Sequence, residues 1–168
     1  MLLISKTAKI SRLADIEDSV RGSKITIEDG VSIDSFVKIK PAGGLGDLVI
    51  GADTVINPGV VIYTGNGVFI GRQVMIGANC VLSGASHEFL DRSIPIMEQE
   101  FIPPSRLQAG AAGIVIEDDV WIGASCTVHE GARIGRGAVI TAGSTVKGAF
   151  EEYGLYAGSP LKLLGFRR

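Results

Sequence analysis

The sequence holds two histidines, two cysteines and one tryptophan, and aromatic residues make up only 6% of its 168 positions. So few histidines argue against a zinc enzyme on three facing imidazoles. The cysteines stand at equivalent places, Cys80 four residues after Ile76 and Cys126 four residues after Ile122. They read as small buried core residues, not as a disulfide or a metal site. There is no phosphate loop, dinucleotide fingerprint, CxxC or HExxH. A net charge of -2 supplies no basic face for nucleic acid or an anionic membrane. The apolar run in the opening MLLISKTAKI is too short for a signal peptide or a spanning helix, so the expectation is a cytoplasmic chain without membrane insertion.

What the sequence does have is a period. From Ile116 an aliphatic residue returns at every sixth position, through Ile122, Val128, Ile134 and Ile140 to Val146. Four residues after each stands a second, mostly small residue, in the series Val120, Cys126, Ala132, Ala138, Ser144 and then Phe150. An amphipathic helix would need apolar spacings of three and four, and a hairpin sheet would alternate strictly between frequent turns. A six-residue repeat instead predicts a β-helix with one short strand and one turn per repeat. Each repeat buries its face only by stacking on its neighbours. The 23 glycines supply the turns.

The phase starts with Ile10 and Ile16, which places the beginning of the barrel near residue 8. It breaks at Arg21–Lys24, again at the turn-rich Pro41–Asp47, and by two extra residues at Thr64–Gly67. One long excursion, about residues 87–113, interrupts it after Leu82 and Ser86. This stretch carries Pro95, Pro103 and Pro104 together with Phe89, Ile94, Ile96, Met97, Phe101 and Ile102. That is too much apolar surface for disorder, so the expectation is an ordered projecting loop that packs on a neighbouring subunit. After Val146 the tail, about 151–168, holds AGSP and the amphipathic LKLLGF, which predicts a turn and a short helical cap. Residues 1–168 then form one domain.

His87 stands where the period stops, beside the loop, and a near-neutral imidazole there can act as general base for a hydroxyl or amine. His129 follows inward Val128 in an unbroken repeat and should face outward, toward solvent or a subunit. The pair Asp118 and Asp119 reads as a solvated turn. Trp121, between inward Val120 and Ile122, points outward as an interface anchor or a ligand platform.

VWIGASCTVHEGARIGRGAVITAGSTVKG, followed by YAGSPLKLL, resembles the closing half of the hexapeptide-repeat O-acetyltransferases, the group of the galactoside and maltose acetyltransferases. SHEFLDRSIPIMEQ resembles the polysaccharide-type subgroup more specifically, and the resemblance covers about residues 50–165. It implies an all-β, left-handed parallel β-helix, a homotrimer, and acetyl transfer from acetyl-CoA to a hydroxyl of a sugar or glycan precursor between subunits. By position it makes His87 the catalytic base and Asn57 an acceptor contact. Trp121, Gly123 and Ala124 match the wall beside the CoA arm, Ala142 and Gly143 the pantetheine repeat, and Lys147 and Lys162 the CoA phosphate contacts. No metal is implied. With both cysteines inward, direct transfer is expected, and a backbone N–H at Gly123–Ala124 is the candidate oxyanion donor. Two departures bear on the acceptor. The acidic acceptor contact of the galactoside type is absent near Gly65 and Asn66, and the helical N-terminal segment of that type is missing. Transfer to an amino sugar or a xenobiotic is the alternative chemistry, and a non-catalytic assembly module is the alternative class; CoA binding separates the module from the enzymes.

Overall fold

The computed structural model of the protein describes residues 1–102 and 113–168. Its strands form three sheets of seven, eight and six strands, and in each the neighbours in space are every third strand in sequence, apart from the last two strands of the eight-stranded sheet, which are consecutive. The chain therefore winds as a three-walled prism, one strand per wall in each turn. Ile116 and Ile134 lie on the first wall, Ile122 and Ile140 on the second, Val128 and Val146 on the third. The six-residue period is the length of one wall with its corner.

Pairing is parallel throughout the coil, with like residues in register. Ile27, Ile50, Ile70, Ile116 and Ile134 stack in one inward column, and Ile33, Ile56, Ile76, Ile122 and Ile140 in the next. All ten are at most 1% exposed. Each such side chain stabilises the stack by about 1.5–3 kcal/mol relative to remaining in water. Cys80 and Cys126 are free thiols facing this interior, as their repeat positions require. Contact with the Cys126 thiol, and then burial, push the Cys80 thiol well above the usual range.

The coil does not lose phase at the excursion. Val68–Ile70, Met75–Ile76 and Val81–Ser83 before it pair with Ile114–Ile116, Trp121–Ile122 and Thr127–His129 after it. The loop leaves at the corner between third and first walls, and the next rung begins where it returns. Residues 103–112 of the expected loop lie outside the described residues.

Two expectations need correction at the ends. Strand structure begins at Leu2–Ile4 rather than near residue 8, because Leu2 and Ile4 pair with Ile25 and Ile27. The tail is not a helical cap: Lys162–Phe166 is a strand, antiparallel to Gly154–Ala157 on the second wall. A six-residue helix interrupted by Gly165 would be marginal in water. Pairing the same stretch with the last edge strand satisfies backbone groups that otherwise stay unpaired.

Candidate active site

His87 lies four residues beyond the strand Val81–Ser83, where the chain turns into an irregular hairpin. His87 and Phe101 form an antiparallel bridge, flanked by Glu88 N–H to Glu100 O at 2.9 Å and Ile102 N–H to Ser86 O at 2.7 Å. The Phe101 ring sits 3.9 Å, centroid to centroid, from the imidazole, tilted by 39°. His87 Nδ1 is 3.2 Å from the backbone oxygen of Gln99. A carbonyl only accepts, so Nδ1 carries the hydrogen, and in the neutral ring Nε2 then holds the lone pair. Nε2 has no partner among the described residues. The half-buried ring borders a cleft of about 280 Å³ lined by Ala42, Gly43, Tyr63, Ser83, Ala85 and Phe101. That is near the lower end of small-molecule sites, which run from about 300 to 1,000 Å³.

Sequence reasoning missed Tyr63, Ser83 and Phe101. Tyr63 and Ser83 each follow an inward aliphatic on the third wall, and they are register partners in a column that continues to His129. The signal was present in the outward positions, but the wall's columns become visible only once the period is folded. His129 is half-buried on this wall, outward as expected. Asn66 also gains a role: its amide donates to Glu130 Oε1 and to Ile102 O, tying the hairpin's end to the next rung.

The other candidates gather elsewhere. Asn57, Gly77, Gly123 and Thr141 mark the edge between second and third walls, each following its second-wall strand. Asn57 N–H reaches Ile76 O, Gly77 N–H reaches Ile122 O, and Gly123 N–H reaches Ile140 O, at 2.7–3.0 Å. The Asn57 side-chain amide also donates to Ile76 O at 2.8 Å. Trp121 projects from the second wall, 49% exposed, and leads into this edge beside a cleft shared with Met75, Val139 and Arg167. Arg167 is held there by Asp119 at 3.0 Å and by Gly137 O at 2.9 Å, so the Asp118–Asp119 turn is structural.

The edge is built for close backbone approach. A Cβ on Gly123 would fall 2.4 Å from Ala142 N, so only glycine lets the rungs stack there. Gly143 has φ +71° and open space where a side chain would stand, with its N–H bonded to Ala124 O at 2.8 Å. Bare backbone over two rungs suits an extended, slender ligand arm. Lys147 lines a cleft of about 360 Å³ with Ser159, Pro160 and Leu161, and Lys162 follows directly; both lysines are exposed. One expectation fails in detail: the Gly123 N–H is committed to Ile140 O, so it cannot be the oxyanion donor, and Ala124 is what remains of that candidate pair.

His87 stands at the edge between third and first walls, whereas Asn57, Gly123, Ala124, Ala142 and Gly143 stand at the edge between second and third. Within one chain a wall separates the two sets, on the order of 10 Å for a three-residue strand.

Comparison with known proteins fits this architecture. Residues 113–148 match the bacterial transferase hexapeptide family (six repeats). Over 96% or more of its length the chain superposes on solved acyltransferases. The chain is a left-handed parallel β-helix of the hexapeptide-repeat type. A hexapeptide-repeat acetyltransferase of Vibrio cholerae, solved with acetyl coenzyme A, is 26% identical at a TM-score of 0.64, with 99% of this β-helix and 71% of that chain covered. The N-acyltransferase AntD of Bacillus cereus, solved with dTDP and 3-hydroxybutyryl-CoA, is 22% identical at a TM-score of 0.67, with 99% and 80% covered. Among curated relatives, a probable macrolide acetyltransferase of Lysinibacillus sphaericus is 46% identical over 50 residues, which are 30% of this chain and 28% of that protein. A 2,3,4,5-tetrahydropyridine-2,6-dicarboxylate N-acetyltransferase of Staphylococcus aureus is 40% identical over 62 residues, 37% and 24% of the two chains. The β-helix thus spans about a quarter of the length of the curated relatives it matches. No helix among the described residues is long and apolar enough to cross a membrane.

Proposed function

We propose that the protein is an acyltransferase that moves an acetyl group from acetyl-CoA to a small acceptor, with His87 as general base. The observation that carries this reading is the imidazole at the mouth of a small cleft, with Nδ1 fixed by a carbonyl and Nε2 free to take a proton. Geometry of this kind contributes on the order of 100- to 10,000-fold. Bare backbone at Gly123 and Gly143, on the edge that Trp121 leads into, fits a pantetheine arm, and exposed Lys162, paired with Ala157 at the end of the second wall, is the cation on that side for its phosphates, whereas Lys147 follows the third wall. When bound there, acetyl-CoA supplies an electrophilic thioester carbonyl. His87 Nε2 would accept the proton that the acceptor loses as it bonds the carbonyl carbon and return it to the CoA sulfur as the carbon–sulfur bond breaks, with the Ala124 N–H as the proposed donor to the developing negative charge. Both cysteines face the core, so transfer is direct.

Because one wall separates His87 from the donor edge, the complete site requires two protomers, the base from one and the edge from the next. A homotrimer closes that arrangement three times. The acceptor is a sugar or glycan hydroxyl, bounded by Tyr63, Ser83 and Phe101, with Asn57 contacting it across the subunit boundary. An amine acceptor is the second reading, favoured by the N-acyltransferases among the similar proteins.

Three measurements test the proposal together. Titration calorimetry should register CoA, light scattering should give a trimer, and thiol release from acetyl-CoA should depend on an acceptor drawn from a panel of glycosides, nucleotide sugars and amino sugars. Mild alkali cleaves an ester product and spares an amide, which decides between oxygen and nitrogen. A monomer that binds no CoA would leave only the assembly-module reading.

A further inference from the structure

We infer that Gln99 is the positioning residue of this site, and that its side-chain amide sets the tautomer of His87. The inference rests on the reading of His87 as a base, but the geometry behind it is independent of any reaction. Gln99 Nε2 donates two hydrogen bonds backward across the hairpin, to Asp91 O at 2.8 Å and to Ile94 O at 3.0 Å. The Gln99 N–H donates to Ile96 O at 3.1 Å, closing the single turn Ile96–Glu98. Asp91 is itself fixed as the head of a turn, its carboxylate accepting from the Ser93 N–H at 2.9 Å and the Ser93 hydroxyl at 2.6 Å. The outcome of these bonds is the placement of one further atom, the Gln99 carbonyl oxygen, against His87 Nδ1.

The residue type follows from the acceptors. Two carbonyl oxygens converge on one side-chain nitrogen, so the residue must present two hydrogens on a single atom. Glutamine does this. Glutamate has the same shape but offers only acceptors when ionised, and asparagine is one carbon short. None of the side chains involved is in the core, and Gln99 touches neither the cleft nor the donor edge. Its link to the His87 cleft is the contact its carbonyl oxygen makes with the imidazole, while its side chain lines the adjoining cleft beside Phe101.

Nitrogen-15 NMR of histidine-labelled protein reads this directly, since His87 and His129 are the only signals. In the wild type the neutral His87 ring should be the Nδ1–H form. Gln99→Met, of similar length with no donor, and Gln99→Glu should both shift it toward the Nε2–H form that free imidazole side chains prefer, while His129 keeps its wild-type shifts and reports an intact coil. Where acceptor-dependent turnover is present, both variants should lower kcat about 10- to 100-fold, since small misplacement of a base is worth up to about that much, with the KM for acetyl-CoA unchanged. A wild-type His87 in the Nε2–H form, or an Nδ1–H form that persists in both variants, overturns the inference. Absence of turnover in the wild type counts against the proposed activity alone, because the tautomer comparison does not use it.

Discussion

The rungs at 114–146 and the hairpin at 84–102 use the same chemistry for opposite ends. In the rungs the strand backbone pairs with the rungs above and below, and the inward side chains, mostly small or aliphatic, are at most 1% exposed. In the hairpin the bonds are few and irregular, and much of the apolar surface is exposed, Leu90 at 83% and Met97 at 87%. Yet the hairpin fixes a single ring nitrogen, which no rung does for His129 among the described residues. A repeat that pairs its strands with one another makes a rigid frame. On the proposed reading the base enters where that repeat is interrupted, while the frame offers only backbone to the donor.

The sharpest way to break this comparison is to damage each part and ask which property fails. Ile122→Ala removes a fully buried side chain from a central column and should cost about 2–5 kcal/mol in urea or thermal unfolding, with the folded fraction still active. Gly123→Val should act similarly through overpacking, about 1–3 kcal/mol or more, since its Cβ would lie 2.4 Å from Ala142 N. Phe101→Ala should invert the pattern. Its ring is 38% exposed, so stability should fall only by about 0.5–1.5 kcal/mol, the worth of an aromatic pair, while acceptor-dependent thiol release falls at least tenfold. Equal damage to both properties in either set would dissolve the distinction.

How much of this was legible follows the same division. The three walls could be read because Ile116 to Val146 carry the period in the chain itself, and inward Cys80 and Cys126 follow from phase alone. The first strand was missed although Ile4 is in phase with Ile10 and Ile16. Lys162–Phe166 is ambiguous in sequence because LKLLGF satisfies helical and strand spacing alike, and only the open edge at Gly154–Ala157 decides between them. His87 could be found as a histidine where the period stops. Its orientation could not, since Gln99, Phe101 and Asp91 reach it through contacts that no periodicity encodes. The separation of His87 from the donor edge likewise appears only when the columns are folded.

Two smaller effects sharpen the comparison. His129→Ala should change stability by no more than about 0.5 kcal/mol and leave turnover within a few-fold, because its strand pairing is backbone only. Acid should loosen the N-terminal rungs and the hairpin through different carboxylates. Hydrogen bonding to Lys40 holds the Asp15 carboxyl below its ordinary 3.8, and the Ser93 hydroxyl and N–H do the same for Asp91. Depressed folded-state values mean stabilisation that is present above about pH 3.8 and lost as pH falls through the lower folded value. Lys40 runs the other way: its value is raised above 10.5 by Asp15 and Glu17, so its contribution is lost as pH rises beyond that. Urea midpoints from pH 2 to 6 should show a shallower acid slope for Asp15→Asn, whereas Asp91→Asn should show its effect in hairpin amide exchange with little change in midpoint.

The central claim is that the interruption, and not the repeat, carries the chemistry at His87. Acceptor-dependent thiol release from acetyl-CoA by the wild type and by His87→Ala, with CoA affinity measured on both, tests it most directly. The account predicts equal CoA binding and a turnover lower by about 100- to 10,000-fold in the variant. Undiminished turnover in His87→Ala would contradict it and move the base elsewhere in the molecule.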